Sequence, residues 1–161
     1  MIFVTTGTQE PFDRLLNIVE IFAKTIDTKI IIQAKTSKKF PSNVEVYEFL
    51  SPIEFDNFFV KSDFIVSHAG MGTIISALYK SRPLVIFPRI ASLGEHRNEH
   101  QMATAKKIKQ QGFVHVVFSD EELLLLMKNL VLTENLTPLH KIGQFASTSL
   151  LDSLNDFITK I

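Results

Sequence analysis

The sequence predicts an α/β fold: a mainly parallel sheet covered by helices on both faces. Three observations predict it. Short, β-branched-rich runs alternate with stretches of helical apolar spacing along the chain. The 161 residues, 45% hydrophobic and 21% charged, have the size and composition of one globular domain. The polar, glycine-bearing stretches fall where strand runs hand over to helical ones, at 6–11, 67–73 and 88–98. In parallel sheets those are the loops that bind ligands.

The elements follow in order. "IFVTTG" (2–7) reads as a buried strand stopped by Gly7. In "PFDRLLNIVEIFAKTI", Phe12, Leu15, Leu16, Val19, Phe22, Ala23 and Ile26 share one helical face, with Pro11 at a first helical position. "KIIIQA" (29–34) and "VEVYEFL" (44–50) read as strands, and "PIEFDNFFVKS" (52–62) as a short helix. "DFIVSH" (63–68) is a strand, "GTIISALYKS" (72–81) a helix and "PLVIFPR" (83–89) a strand. A helix is expected over 95–112, stopped by Gly112, then a strand over 113–118. The helix over 119–132 has Ser119 or Asp120 as N-cap and acids in its first turn, where the helix dipole favours them. The segment 142–161 carries Leu150, Leu151, Leu154, Phe157, Ile158 and Ile161 as one stripe. It is expected to be a closing helix on its own sheet or a surface that docks on another chain. The whole chain, 1–161, is expected to be a single domain.

Composition excludes several functions. Lys+Arg and Asp+Glu balance at 17 each, so no global field draws the chain to nucleic acid or an anionic membrane. The absence of cysteine excludes thiol catalysis and suits a reducing cytoplasm. The N-terminus "MIFVTTG" has no basic n-region, so no signal peptide is expected, and no apolar run is long enough to span a membrane.

"SHAGMGT" (67–73) carries the most chemistry. A helix N-terminus offers unpaired N–H groups and partial positive charge, and glycines before it let an anion reach the backbone. A phosphate or diphosphate is the ligand group that suits it, with Thr73 adding a hydroxyl; the alternative is a tight turn with no ligand. The dinucleotide fingerprint G-x-G-x-x-G fails at Ile75, lies mid-chain, and is followed by a strand ending in Arg89 rather than an acid. The Walker motif is absent. His96 and His100, four apart, would share a helix face, but Arg97 replaces the glutamate of H-E-x-x-H and no third ligand is evident, so no metal is expected. His68 is either a strand-end histidine bonded to backbone or a ligand contact. Asp13 and Arg14 are expected to be structural.

"SHAGMGT", followed by "PLVIFPR" and "GEHRNEHQ" and preceded by "VTTGT…FDRL", resembles glycosyltransferase family 28. The chain looks like the donor-binding subunit of two-component UDP-sugar glycosyltransferases, in the bacterial exopolysaccharide and capsule branch. The resemblance implies a Rossmann-like C-terminal half of a GT-B glycosyltransferase. It implies that Gly70, Met71, Gly72 and Thr73 cradle a UDP-sugar diphosphate, that Gly7, Thr8 and Gln9 approach it, and that His68 belongs to the donor site. It places sugar recognition on Glu95, His96, Asn98, His100 and Gln101, and gives Arg89 the diphosphate charge to offset. Ser76 stands where relatives carry a ribose-binding glutamate. No cofactor is implied. Transfer would be inverting, onto a lipid-linked saccharide acceptor held by a membrane-associated partner that recruits this cytoplasmic chain to the inner membrane face. The general base is on that partner or, in this chain, Glu95 or His96. The alternatives are a non-catalytic nucleotide-sugar-binding or regulatory module and, more remotely, a nicotinamide enzyme.

Overall fold

A computed structural model describes residues 1–8, 10–133 and 138–142. Six short strands carry the fold: β1 (Ile2–Thr5), β2 (Ile30–Gln33), β3 (Val44–Tyr47), β4 (Phe64–Ser67), β5 (Leu84–Ile86) and β6 (His115–Val116). All pair in parallel, in the order β3-β2-β1-β4-β5-β6. The chain starts at the centre, builds outward to β3, then returns beside β1 to build the other half. Connections leaving β1 and β4 therefore run in opposite directions, which opens a crevice above their carboxyl ends.

Five helices cover the sheet: α1 (Asp13–Ala23), α2 (Pro52–Lys61), α3 (Met71–Tyr79), α4 (His100–Gln111) and α5 (Asp120–Thr133). Alternate strand residues face alternate sides. Ile2 and Val4 join Leu15, Leu16, Val19 and Phe22 of α1 and Leu123 and Met127 of α5 in one core. Phe3 joins Phe59, Ile74, Ala77, Ala105 and Ile108 in the other, under α2, α3 and α4. The Phe3 ring meets Phe55 edge-on at 5.2 Å and is itself fully buried. A side chain of that size withdrawn from water contributes roughly 1.5–3 kcal/mol.

Local signals set the element ends. Ser51 and Glu54 form a reciprocal capping box at α2, with Pro52 at its first position. Ser119 Oγ accepts the Glu122 amide at 3.2 Å, capping α5 as expected. Gly112, at φ 67, ends α4. Two expected boundaries are corrected. α1 begins at Asp13 with Phe12 as N-cap, so Pro11 lies ahead of the helix; its carbonyl instead accepts from Arg89. α4 begins at His100, not at 95, because side chains of the preceding residues bond the backbone of a turn: Ile90 N–H donates to Glu95 Oε2 at 2.8 Å and His100 N–H to Asn98 Oδ1 at 3.2 Å. His96 and His100 consequently do not share a helix face.

The expected closing helix over 142–161 lies outside the described residues from 143 onward. Ile142 itself donates to the Leu78 carbonyl at 3.3 Å and packs on the second core. Among the described residues, no helix is long and apolar enough to cross a membrane.

The turn after α3 holds a local cost. Ser81 sits at φ 52, and Arg82 N–H returns to the Ala77 carbonyl at 2.8 Å, the six-to-one bond of a helix C-cap. A side chain with a Cβ loses about 1–2 kcal/mol in that left-handed region, and the Ser81 hydroxyl is buried without a partner. Ser81→Gly is expected to raise stability by about 0.5–1 kcal/mol after the entropy of an unfolded glycine is deducted. A urea titration should show a higher midpoint at unchanged slope; a lower midpoint would contradict this account of the turn.

Candidate functional site

The carboxyl ends of the strands collect buried polar side chains. Thr5, Thr6, Gln33, Ser67 and Arg89 are all under 5% exposed. Thr5 Oγ1 donates to Gln33 Oε1 at 2.6 Å, which satisfies both inside the sheet. Above them lies an open cavity of about 290 Å³. Thr6, Gly7, Thr8 and Glu10 line it from the loop after β1, His68 from the loop after β4, Arg89 and His96 from the loop after β5, and Gln101 from α4. The three expected ligand loops thus meet around one space. A larger hollow of about 480 Å³ opens at the amino ends of β1 and β4, between Ile2, Phe64, Arg82 and Leu130. It gathers none of the glycine loops, so the smaller cavity is the candidate site.

The two glycines of the central loop do different things. A Cβ on Gly70 would lie 2.5 Å from His68 Nε2, and one on Gly7 3.0 Å from His68 Cε1. The imidazole therefore sits between the two loops, and both glycines make room for it; Gly7 also needs its φ of 76. A Cβ on Gly72 would meet nothing within 4 Å. Burial first, then the nearby Arg89 charge, lower the His68 pKa to about 4, so the ring is neutral at pH 7.

α3 starts immediately after this loop. Its N-cap is Gly70, which has no side chain to satisfy the first amides. The first intrahelical bond runs from Ile74 N–H to the Gly70 carbonyl at 3.2 Å. The amides of Met71, Gly72 and Thr73 have no intrahelical acceptor, and the helix dipole adds positive potential there. Gln101 ties this loop to its neighbour: its Oε1 accepts from Ala69 N–H at 3.3 Å and Arg89 N–H at 3.2 Å. With the oxygen so engaged, the carboxamide NH2 is the group Gln101 has for a ligand.

Arg89 is 2% exposed, and its terminal nitrogens donate to backbone carbonyls. Nη2 reaches the carbonyls of Thr6 at 2.8 Å and Glu10 at 2.6 Å; Nη1 reaches those of Pro11 and, at 3.1 Å, Glu95. Its guanidinium also lies over the Phe12 ring at 4.6 Å, and Phe12 stacks on Phe87 at 5.8 Å. Burial lowers its pKa, partly offset by Glu95 and Glu10. Arg14 packs against the same pair, 4.0 Å from the Phe87 ring centroid and 5.4 Å from that of Phe12. It grips Glu95 with Nε to Oε1 at 2.7 Å and Nη2 to Oε2 at 2.9 Å. Burial opposes the Arg14 charge, but bonds to Glu95 and Asp120 outweigh it and raise the pKa.

The expected site residues thus occupy distinct places. Gly7, Thr8, His68, Arg89, His96 and Gln101 line the cavity, and Gly70, Met71, Gly72 and Thr73 form the start of α3 and its cap. Glu95 stands outside the cavity wall, its carboxylate bonded to Arg14 and the Ile90 amide. Asn98 lies in the turn entering α4 and His100 is the first residue of that helix; neither lines the cavity. His96 Nδ1 is 3.0 Å from the Asn98 carbonyl oxygen. Gln9 lies outside the described residues. Among the described residues, no group of three His, Cys, Asp or Glu side chains could hold a metal ion. Thr6 and Glu10 join the lining without having been singled out. The signal for Thr6 was a hydroxyl residue ending a wholly buried strand run.

Residues 1–149 match the model of the glycosyltransferase family 28 C-terminal domain. No curated protein matches this sequence. The fold is similar to that of Acinetobacter baumannii MurG, at 18% identity and TM-score 0.66, over 99% of this chain and 49% of that one. It is similar to ALG13 at 22% identity and TM-score 0.59, over 95% of this chain and 93% of that one. It is similar to the glycosyltransferase VinC, solved in complex with dTDP, at 15% identity and TM-score 0.59, over 99% of this chain and 42% of that one. The chain therefore spans less than half the length of MurG and VinC but nearly all of ALG13. The six-stranded parallel sheet with its helices is the Rossmann-like C-terminal half of a GT-B glycosyltransferase.

The lowered His68 pKa has a measurable consequence. As pH falls, the unfolded chain takes up a proton near the usual 6.5 while the folded ring resists until about 4. Stability from this residue is complete above about pH 6.5 and is lost towards pH 4, at up to about 1.4 kcal/mol per unit. His115, also lowered by burial, has the same sign; the lowered carboxylates Glu20, Glu45 and Glu54 act at more acid pH. Urea titrations at pH 7 and 5 should show a loss of up to about 2 kcal/mol in the wild type, largely absent in His68→Gln. Equal losses in both proteins would contradict a neutral, buried His68.

Proposed function

This chain belongs to the glycosyltransferase family 28 C-terminal domain family, and from that premise we propose that it holds the UDP-sugar donor of a sugar transfer. The observation that carries this reading is the uncapped N-terminus of α3, reached over Gly72, whose missing side chain meets no protein atom. Three backbone amides and a helix dipole there suit the diphosphate. Gly7 and Thr8 approach from the loop after β1, and the Gln101 NH2 donates to a sugar hydroxyl. Gln9 is assigned with Gly7 and Thr8 to the diphosphate, and Asn98 and His100 to the sugar end. Arg89 acts by its charge across the cavity, since its terminal N–H groups already have acceptors. Ser76 is assigned to the ribose.

The reaction we assign is inverting. An acceptor hydroxyl oxygen attacks the anomeric carbon as the bond to the β-phosphate oxygen breaks, and UDP leaves carrying the charge. The α3 amides stabilise that growing charge where it develops. A base must take the hydroxyl proton. Glu95 is held by Arg14 and the Ile90 amide, which favours a base on the partner; His96, on the cavity wall, is the candidate within this chain. We assign the acceptor, a lipid-linked saccharide in bacterial exopolysaccharide or capsule assembly, to a membrane-associated second subunit that recruits this chain to the inner face of the cytoplasmic membrane. Part of the stripe from Leu150 to Ile161 is assigned to that contact, the alternative being a closing helix on this chain's own sheet.

Gly72→Val is expected to weaken UDP binding about 10- to 100-fold, the loss of one or two charge-assisted bonds, with an unchanged circular dichroism spectrum. Unchanged calorimetric affinity would make the loop a plain turn. Gln101→Ala should weaken UDP-sugar binding more than UDP binding, and equal losses would argue against a sugar contact. Co-expression with the partner subunit should produce lipid-linked transfer that the purified chain lacks. Full turnover by the chain alone would refute the two-component arrangement; UDP-sugar binding without transfer in the pair would favour a regulatory module.

A further inference from the structure

We propose that Arg14, which stands outside the cavity wall, is a positioning residue for the donor site: through Glu95 and Arg89 it sets where the backbone of Gly7 and Thr8 stands. The proposal rests on the donor-binding reading above.

The path is continuous. Arg14 leaves α1 and reaches the segment after β5, where it meets Glu95 at two points and donates to the Pro88 carbonyl at 2.8 Å. Both charged side chains are largely buried, at 14% and 11% exposed. Glu95 Oε2 also accepts the Ile90 amide at 2.8 Å, so the carboxylate folds 88–95 into one compact turn. The Glu95 carbonyl in turn accepts Arg89 Nη1 at 3.1 Å. The remaining terminal bonds of Arg89 go to the carbonyls of Thr6, Glu10 and Pro11, the two ends of the loop that carries Gly7 and Thr8. The rings supply a second, parallel connection. Arg89 lies over Phe12 at 4.6 Å, and Arg14 contacts both Phe12 at 5.4 Å and Phe87 at 4.0 Å, with the two rings 16° from coplanar.

A lysine reproduces neither connection in full. The guanidinium is planar, meets a carboxylate at two points and lies flat on an aromatic ring, whereas an ammonium is a point charge. Arg14→Lys therefore keeps the charge of α1 and removes the fork. Glu95→Gln keeps shape and acceptor oxygen but removes the charge that Arg14 grips. Because the two act as one unit, their effects should not add.

The test uses the full chain and three readouts: backbone amide resonances of Gly7 and Thr8 in the free protein, UDP affinity by calorimetry, and the thermal midpoint. Arg14→Lys and Glu95→Gln are each expected to move the Gly7 and Thr8 resonances and to weaken UDP binding about 10-fold. The double variant should lose no more than either single one. Lys80→Gln, which breaks the exposed Lys80–Asp56 pair, should move neither readout. A lowered thermal midpoint with wild-type Gly7 and Thr8 resonances and wild-type UDP affinity would overturn the proposal, leaving Arg14 merely structural. Shifted resonances with unchanged affinity would overturn it equally. If the wild-type protein binds no UDP, the donor-binding reading fails instead, and the Gly7 and Thr8 resonances of the variants still decide whether Arg14 sets this loop.

Discussion

Arg89 places a guanidinium where two loops converge, and the shape of the site depends on it. A buried charge is tolerated only where polar partners surround it. Backbone carbonyls in loops away from water need donors as much as the cation needs acceptors. The carbonyls of Thr6, Glu10, Pro11 and Glu95 meet both needs at once. The face of Phe12 covers the remaining side with electron-rich surface. Against the same aromatic pair, Arg14 and Glu95 form a largely buried ion pair. Breaking such a pair by deleting one partner typically costs on the order of 3–5 kcal/mol. The loops after β1 and β5 are thus tied together through Arg89, which reduces the ordering that a ligand must bring about.

On that frame the central loop divides its work. Gly70 accommodates His68, and Gly72 leaves the helix terminus open. His68 fills the space between two loops with a neutral ring, so it adds no positive charge of its own at pH 7. Positive potential instead comes from α3 and from Arg89, both fixed before any ligand binds. Preorganised dipoles and charges of this kind stabilise leaving-group charge most effectively, because nothing must reorient during the reaction.

Much of the fold was legible because parallel strands buried on both faces are continuously apolar, as "IFVT", "IIIQ" and "FIVS" are. Helix ends with a dedicated residue, such as Ser119 and Gly112, were legible too. The start of α4 was not. Residues 95–99 contain no breaker, and what keeps them out of the helix is tertiary: Glu95 bonds to Arg14, 81 positions earlier in the chain. The same separation hid Arg14, which spacing could only call structural. Strand-end and glycine positions marked the loops 6–11, 67–73 and 88–98; His96 and Gln101 were reached only through the family resemblance, and Thr6 and Glu10 were not singled out. The reason for Gly70 was not legible, since it lies in where the His68 ring points rather than in the spacing of the loop.

The α3 terminus is the proposed seat of the diphosphate. Its most direct measurement is a UDP titration of the isotope-labelled chain, following backbone amide resonances residue by residue. The account predicts saturable shifts largest at Met71, Gly72 and Thr73, with Gly7 and Thr8 moving beside them. Shifts centred on the hollow between Phe64, Arg82 and Leu130, with the α3 amides unmoved, would contradict it.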